Sequence, residues 1–372
     1  GTGGVGAKIV SSSSVLVDEE HFDWAPPEQR HRPLTSLPHA ARAVPRDPLR
    51  TGVPDAGADA SAPATFQASS DLKLLSLFSG PYARAGGLPS YLSKAGWSSI
   101  EQIDNDGERG GGWNHDLLND ATYSSLLARA AAGEFDGLMI AFPCSTFSIT
   151  RFFDASTADQ DRGPPVIRTH DHPDGLPLDQ LDPLHVQELK TTNLLLERTV
   201  QIAIAARRSP KKTTIIFENP ADRSVESSPC YDPEFSQHGA VFRTTPFKKL
   251  IAAADLSSHS TFSYCRLGSD LQKYTSLYFT PEAGSVLDVL NSPDFRCNHE
   301  RGTHKRKAGG RDASGTFVSA HAAAYPDKLN AILAMALTTA RTGSRTAPRA
   351  PLASTRPQAA AEARMTAITT KS

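Results

Sequence analysis

The chain has 372 residues, of which 39% are hydrophobic and 21% charged, with 27 prolines and 26 glycines. That is enough apolar material for one large or two ordinary domains, with part of the chain left outside the core. Lys and Arg total 39 against 40 Asp and Glu, so the net charge of -1 excludes a global field drawing the protein onto nucleic acid or an anionic membrane, and any polyanion site must be a local patch.

The first 70 residues are rich in Pro, Ala, Ser, Asp and Arg and hold neither helical nor strand periodicity for long, so a disordered segment is expected there. One stretch, IVSSSSVLVDEEHFDW, carries Ile9, Val10, Val15, Leu16 and Val17 and suggests a docking strand. The opening residues lack the charged start and apolar core of a signal peptide, and no run of about eighteen apolar residues occurs, so no membrane partner is expected. An initial Gly1 in place of methionine fits a segment of a longer translation product.

From residue 71 the pattern changes to short apolar runs alternating with helical stretches, the signature of a parallel sheet covered by helices. Strands are predicted at 72–78 (LKLLSLF), 99–103, 137–142 (GLMIAF) and 213–217 (TTIIF), with helices at 89–95, 121–132 and 189–207. The fold class is therefore α/β, a Rossmann-like, doubly wound and mostly parallel sheet whose ligands sit at the carboxyl edge of the strands. Residues 71–340 form this domain, and 341–372, again rich in Pro, Ala, Ser and Thr, are expected to be a disordered tail.

Chemistry-bearing residues gather at three strand ends. Phe78-Ser79-Gly80, followed by Gly86-Gly87-Leu88, is a small-residue turn whose amides can approach a ligand closely, and Asp104 ends the next strand where an acid can hold ribose hydroxyls. That pairing points to a nucleotide-like cofactor, although GPYARAGG also reads as an ordinary tight turn. Cys144 follows Pro143 at the tip of an apolar strand, where turn amides can stabilise a thiolate; a buried, inert cysteine is the alternative. Glu218 ends a strand as apolar as TTIIF, where desolvation favours the protonated form and suits a proton donor; for Glu218 or the adjacent Asn219 alone, a cap or ion-pair role is the alternative.

In this order the motifs resemble the S-adenosylmethionine-dependent cytosine-C5 DNA methyltransferases. LFSGPYARAGGL is similar to that family's first motif, FDGLMIAFPCSTFS to its Pro-Cys motif and IIFENP to its Glu-Asn motif. With His115-Asp116-Leu117-Leu118 and the closing Ala322-Ala323-Ala324-Tyr325-Pro326, the chain is similar to the divergent branch carried by some eukaryotic retroelements and phages. The resemblance implies a class I methyltransferase fold and S-adenosylmethionine as cofactor. It implies that Cys144 adds to C6 of cytosine, that Glu218 protonates or hydrogen-bonds N3 and that Asn219 braces the motif. It further implies that Phe78, Ser79, Gly80, Gly86, Gly87, Leu88 and Pro143 surround the cofactor, with Asp104 at its ribose and Asp116 and Leu117 at its adenine. A duplex DNA substrate must have its target base flipped out; RNA is the alternative polymer, and a catalytically inactive binding domain the alternative of another class.

Departures from the pattern fall at named places. Residues 82–85 are additional within the first motif, and Pro220 follows Glu218-Asn219 where the best-known members carry valine. The family's Gln-Arg-x-Arg motif has no match, which leaves Arg266 or Lys273 as stand-ins. The recognition region, about 281–315, is short. Residues 150–183 are read as a loop able to close over the base, with Arg151, Arg162 and Arg168 as phosphate contacts or as parts of a solvated surface, and the basic run 301–311 as a backbone-binding or nuclear-targeting patch or a solvated loop.

Four cysteines (Cys144, Cys230, Cys265, Cys297), no two at CxxC spacing, support neither a disulfide framework nor a four-thiolate zinc site, and a reducing intracellular compartment, nuclear in a eukaryote, is expected. His170 with Asp171 and His172, and Cys297 with His299 and His304, each fall short of a tetrahedral set, so loop histidines and no metal are expected.

Overall fold

A computed structural model describes residues 71–82, 84–107, 110–153, 164–300, 302–306 and 323–346. The expected N-terminal segment 1–70 with its docking strand, Arg162, and the tail beyond 346 lie outside the described residues.

The apolar runs form the strands β1 (Lys73–Leu77), β3 (Gly137–Ala141) and β4 (Thr214–Pro220), with β2 (Ser99–Ile103) at one edge. Two further strands, β5 (Ser258–Ser263) and β6 (Tyr274–Phe279), complete a six-stranded sheet of order β2-β1-β3-β4-β6-β5. The first four strands are mutually parallel, and β6 runs antiparallel to both β4 and β5. The mostly parallel α/β sheet expected from the sequence is thus present, with one reversed strand that the sequence reading did not foresee.

Alternate residues of the central strands serve two cores. Leu75, Leu77, Leu138, Ile140, Ile215 and Phe217 face one, while Leu74, Met139 and Ile216 face the other. Parallel strands covered on both faces need such unbroken apolar runs, and each fully buried Leu, Ile or Phe contributes about 1.5–3 kcal/mol. Helices α2 (Asp120–Ala131), α3 (Pro183–Arg208) and α4 (Thr245–Ala254) cover the first face. Across the sheet lie α1 (Leu88–Lys94), the single turn α5 (Gly284–Leu287) and α6 (Asp327–Thr346).

Two boundaries differ from expectation. Helix α3 starts six residues earlier, because Asp182 caps it by accepting from His185 N at 3.0 Å and Pro183 occupies its first turn. Helix α6 runs past residue 340, with Leu337 and Ala340 buried, so the domain extends into what was read as tail.

The chain leaves β1 toward β2 on one side and returns to β3 on the other. This reversal opens a crevice at the carboxyl ends of β1 and β3, the usual ligand position in such sheets.

Candidate active site

Two cavities meet at that edge. One, of about 400 Å³, is lined by Phe78, Ser79, Gly80, Gly87, Leu88, Asp104, Pro143, Cys144, Glu218 and Lys273, among others. The second, of about 450 Å³, is lined by Phe153, Arg223, Tyr231, Phe235 and Tyr274, and again by Cys144 and Lys273. Cys144 and Lys273 therefore stand where the two chambers meet.

Cys144 reaches this position because β3 stops at Ala141 and Pro143 cannot continue the ladder. At φ -98° and ψ 2° Cys144 then caps a single 3-10 turn, Ser145–Phe147, its carbonyl accepting from Phe147 N at 2.9 Å. Buried side chains hold that turn from behind. Arg168 Nε donates to Thr146 Oγ1 at 3.1 Å while its guanidinium stacks 4.2 Å from the Phe147 ring centre. Arg151 Nε donates to the Ser145 carbonyl at 2.7 Å, and His238 Nε2 lies 2.8 Å from the Phe147 carbonyl.

These contacts correct one expectation. Arg168 is 1% exposed and Arg151 is 7% exposed, with Arg151 paired to Glu188, so neither is available to a phosphate.

Strand β4 runs beside β3 with Glu218 opposite Ala141, which brings the Glu-Asn pair next to the Pro-Cys turn. Asn219 Nδ2 donates to the Phe142 carbonyl at 2.8 Å and ties the two strand ends together. Glu218 is buried but not alone. Lys273 Nζ lies 3.2 Å from its Oε1, Tyr325 Oη donates to Oε2 at 3.3 Å, and Tyr264 Oη approaches Oε1 at 3.5 Å. Glu218, read from the sequence as a desolvated acid with an ion-pair role as the alternative, is thus ion-paired, with two phenols around it.

Burial opposes charge on Lys273, but the Glu218 carboxylate, followed by Tyr264 and Cys144, outweighs it and holds the lysine pKa above its ordinary value. Burial pushes the Cys144 thiol up; the Lys273 charge pulls it down and the Glu218 charge pushes it up again. Burial and then Glu218 raise both Tyr264 and Tyr325. Of the two stand-ins for the missing arginine motif, Lys273 reaches Glu218. Arg266 instead donates to the Asp294 carbonyl at 2.8 Å and to Asn298 Oδ1 at 2.9 Å.

The smaller chamber mixes carboxylate, amide and apolar walls. Asp104 Oδ2 accepts from Gly80 N at 2.8 Å and Oδ1 from Asp106 N at 3.1 Å, so the acid fixes the turn after β1 while facing the cavity. The chain beside it is tight, since a Cβ on Gly111 would lie 1.6 Å from the Asp104 carbonyl oxygen. Phe78 adopts φ +60°, a strained conformation for a phenylalanine, and packs edge-on against Phe142 with ring centres 5.3 Å apart.

Gly86 does not line this cavity; its carbonyl accepts from Asn330 Nδ2 at 3.0 Å. Leu117 is 1% exposed in the core, and Asp116 Oδ1 accepts from Leu118 N at 2.8 Å, so neither is among the lining residues.

Tyr264, Tyr325, Gln272 and Asn330 were not singled out as site residues, yet all line one or other chamber or touch Glu218. Tyr325 belongs to the Ala-Ala-Ala-Tyr-Pro segment already read as part of the resemblance, and Tyr264 and Gln272 to the segments 264–268 and 271–275 that stand where the arginine motif is expected; Asn330 offered no sequence signal. Of the basic run 301–311, residues 302–306 are described, and Lys305 pairs with Asp270 at 3.4 Å. His170 bridges Ser224 at 3.0 Å and Arg243 at 3.3 Å, as a loop histidine does. The structure sets Cys265 beside Cys297, His299 and His304, a partner 32 positions earlier in the chain that the spacing argument missed.

No protein-family model matches the chain, and no curated protein matches it significantly. Among the described residues, no helix is long and apolar enough to cross a membrane.

Proposed function

We propose that the protein transfers a methyl group from S-adenosylmethionine to C5 of cytosine in DNA, on a class I methyltransferase scaffold. The observation that carries this reading is the junction of two chambers at Cys144, with Glu218 lining the same cavity as the sulfur. A nucleophile shared by two adjoining cavities suits a reaction between two separately bound molecules.

The smaller chamber suits the cofactor. Asp104 retains acceptor capacity beyond its two amide bonds for ribose hydroxyls. Phe78, Leu88 and Met139 offer apolar walls, and Ser79, Gly80 and Pro143 bring backbone close. S-adenosylmethionine, when bound, supplies an electrophilic methyl carbon. The larger chamber, with Phe153, Tyr231, Phe235 and Tyr274, suits a flipped base held by stacking.

Cys144, as thiolate, forms the S–C6 bond, and the displaced ring electrons move toward N3. The Glu218–Lys273 pair receives that charge: the carboxylate accepts from the exocyclic amino group, and a proton held within the pair neutralises N3. C5 thereby becomes nucleophilic. After C5 gains its methyl group, loss of the C5 proton to a base expels the sulfur, and N3 returns its proton to the pair. Asn219 keeps the two strand ends in register, and Tyr264 and Tyr325 fix the carboxylate.

Lys273 also bears on the inactive alternative, which drew its support from the missing arginine motif. A cation does stand beside Glu218, supplied by a different residue type. Tritiated methyl transfer to DNA and RNA in parallel, with Cys144→Ser as control, tests the proposal. Incorporation into DNA that Cys144→Ser abolishes is expected; cofactor binding without transfer to either polymer would favour the inactive domain, and incorporation into RNA alone would move the substrate.

A further inference from the structure

Cys265, Cys297, His299 and His304 turn four ligand atoms toward one point, all within 4.8 Å of one another. Cys297 Sγ lies 3.5 Å from His299 Nδ1 and 3.3 Å from His304 Nε2. At zinc–sulfur and zinc–nitrogen bond lengths, tetrahedral angles set sulfur and nitrogen ligands about 3.5 Å apart. The donor set is two thiols and two imidazoles, the combination that favours zinc over the hard cations.

The surroundings supply a reason for a metal. Cys265 sits in the 3-10 turn Tyr264–Leu267 that leaves β5, firmly packed through Tyr264 and Leu267. The other three ligands belong to the polar segment after the 3-10 turn Pro293–Phe295, where the described residues, 296–300 and 302–306, are half-buried or exposed and include no strand or helix. Such a segment buries little apolar surface to hold itself down. Its links to the turn are polar: Arg266 to Asp294 and Asn298, and Arg306 N to the Asp270 carbonyl at 3.1 Å.

We infer that these four residues form a structural zinc site that fastens the 296–306 segment to the end of β5. Four protein ligands close the coordination sphere, which distinguishes the site from a catalytic one with an open position. Cys297, His299 and His304 also line the larger chamber, and Cys265 adjoins Tyr264, which approaches Glu218. The metal therefore shapes one wall of that chamber, while the inference stands independently of the methyltransferase reading.

The test uses the full chain purified under reducing conditions from zinc-supplied medium. Elemental analysis is expected to find one zinc per chain in the wild type and in Cys144→Ser, whose cysteine is not one of the four ligands, and none in Cys265→Ser or His304→Ala. Because those variants can fail to fold, cobalt(II) is titrated into metal-stripped wild type. Thiolate-to-cobalt charge transfer and tetrahedral ligand-field bands saturating at one equivalent are expected. Absence of both bound zinc and the cobalt spectrum, an octahedral cobalt spectrum, or zinc retained in a folded Cys265→Ser would each overturn the assignment.

Discussion

Lys273 Nζ lies 3.2 Å from Glu218 Oε1, and the two opposite charges act in opposite senses on the Cys144 thiol that shares their cavity. Burial sets that thiol above the ordinary cysteine range; the lysine then lowers it and the glutamate raises it. Alkylation of Cys144 by iodoacetamide, followed by peptide mass spectrometry, should accelerate with rising pH and reach its midpoint above that of an ordinary thiol. Glu218→Gln should move the midpoint down and speed alkylation at neutral pH, while Lys273→Met should move it up. A common midpoint for all three proteins would show that neither charge is felt at the sulfur.

Arg168 is expected to be a stability residue and not a phosphate contact. Its guanidinium donates to Thr146, to the Pro173 carbonyl at 2.9 Å and to Asn193 Oδ1 at 2.7 Å, and burial lowers its pKa to about 10. Arg168→Gln strands several of these acceptors, each costing about 1–3 kcal/mol, and should lower the thermal midpoint clearly. The slope of log DNA affinity against log salt should not change. A slope reduced by about one with an unchanged midpoint would restore the phosphate role.

Strands β1, β3 and β4 were legible in the sequence because burial on both faces demands unbroken apolar runs, as in GLMIAF and TTIIF. Strand β5, SHSTFS, lies at the sheet edge with its last four residues buried, and it satisfies itself with hydroxyls: Ser260 Oγ donates to the Leu287 carbonyl at 2.8 Å and Thr261 shares a 2.7 Å bond with Ser276. Its composition reads as a loop. The same holds at the site. Cys144 and Glu218 announce themselves at strand tips and Lys273 is one of two candidates for the missing cation, whereas Tyr264 and Tyr325 become neighbours of Glu218 only through the turn after β5 and the chain's return toward α6.

Asp104 should matter to cofactor affinity through the turn that it fixes as well as through any direct contact. Asp104→Ala removes the acceptor for Gly80 N and Asp106 N. Bonds to a charged partner are worth about 1.5–3 kcal/mol, so S-adenosylmethionine should bind roughly ten- to a hundredfold more weakly by calorimetry. Unchanged affinity would separate the turn from the binding site.

His238 makes stability depend on pH. It is fully buried, its Nδ1 accepts from Arg223 N at 3.2 Å, and burial lowers its pKa below the ordinary imidazole value. The native state then refuses a proton that the unfolded state accepts below about pH 6.5, so stability should fall as pH drops through that value. Urea midpoints at about pH 7.5 and about pH 5.5 should differ more for the wild type than for His238→Gln. An equal loss in both would assign the acid sensitivity to other groups.

Covalent capture on DNA containing 5-fluorocytosine, with S-adenosylmethionine present, tests the central reading most directly, because fluorine at C5 blocks the elimination that frees the sulfur. The reading predicts a denaturant-resistant protein–DNA species in which Cys144 carries the base, absent from Cys144→Ser. A bound cofactor with no captured species, or capture that persists in Cys144→Ser, would contradict it.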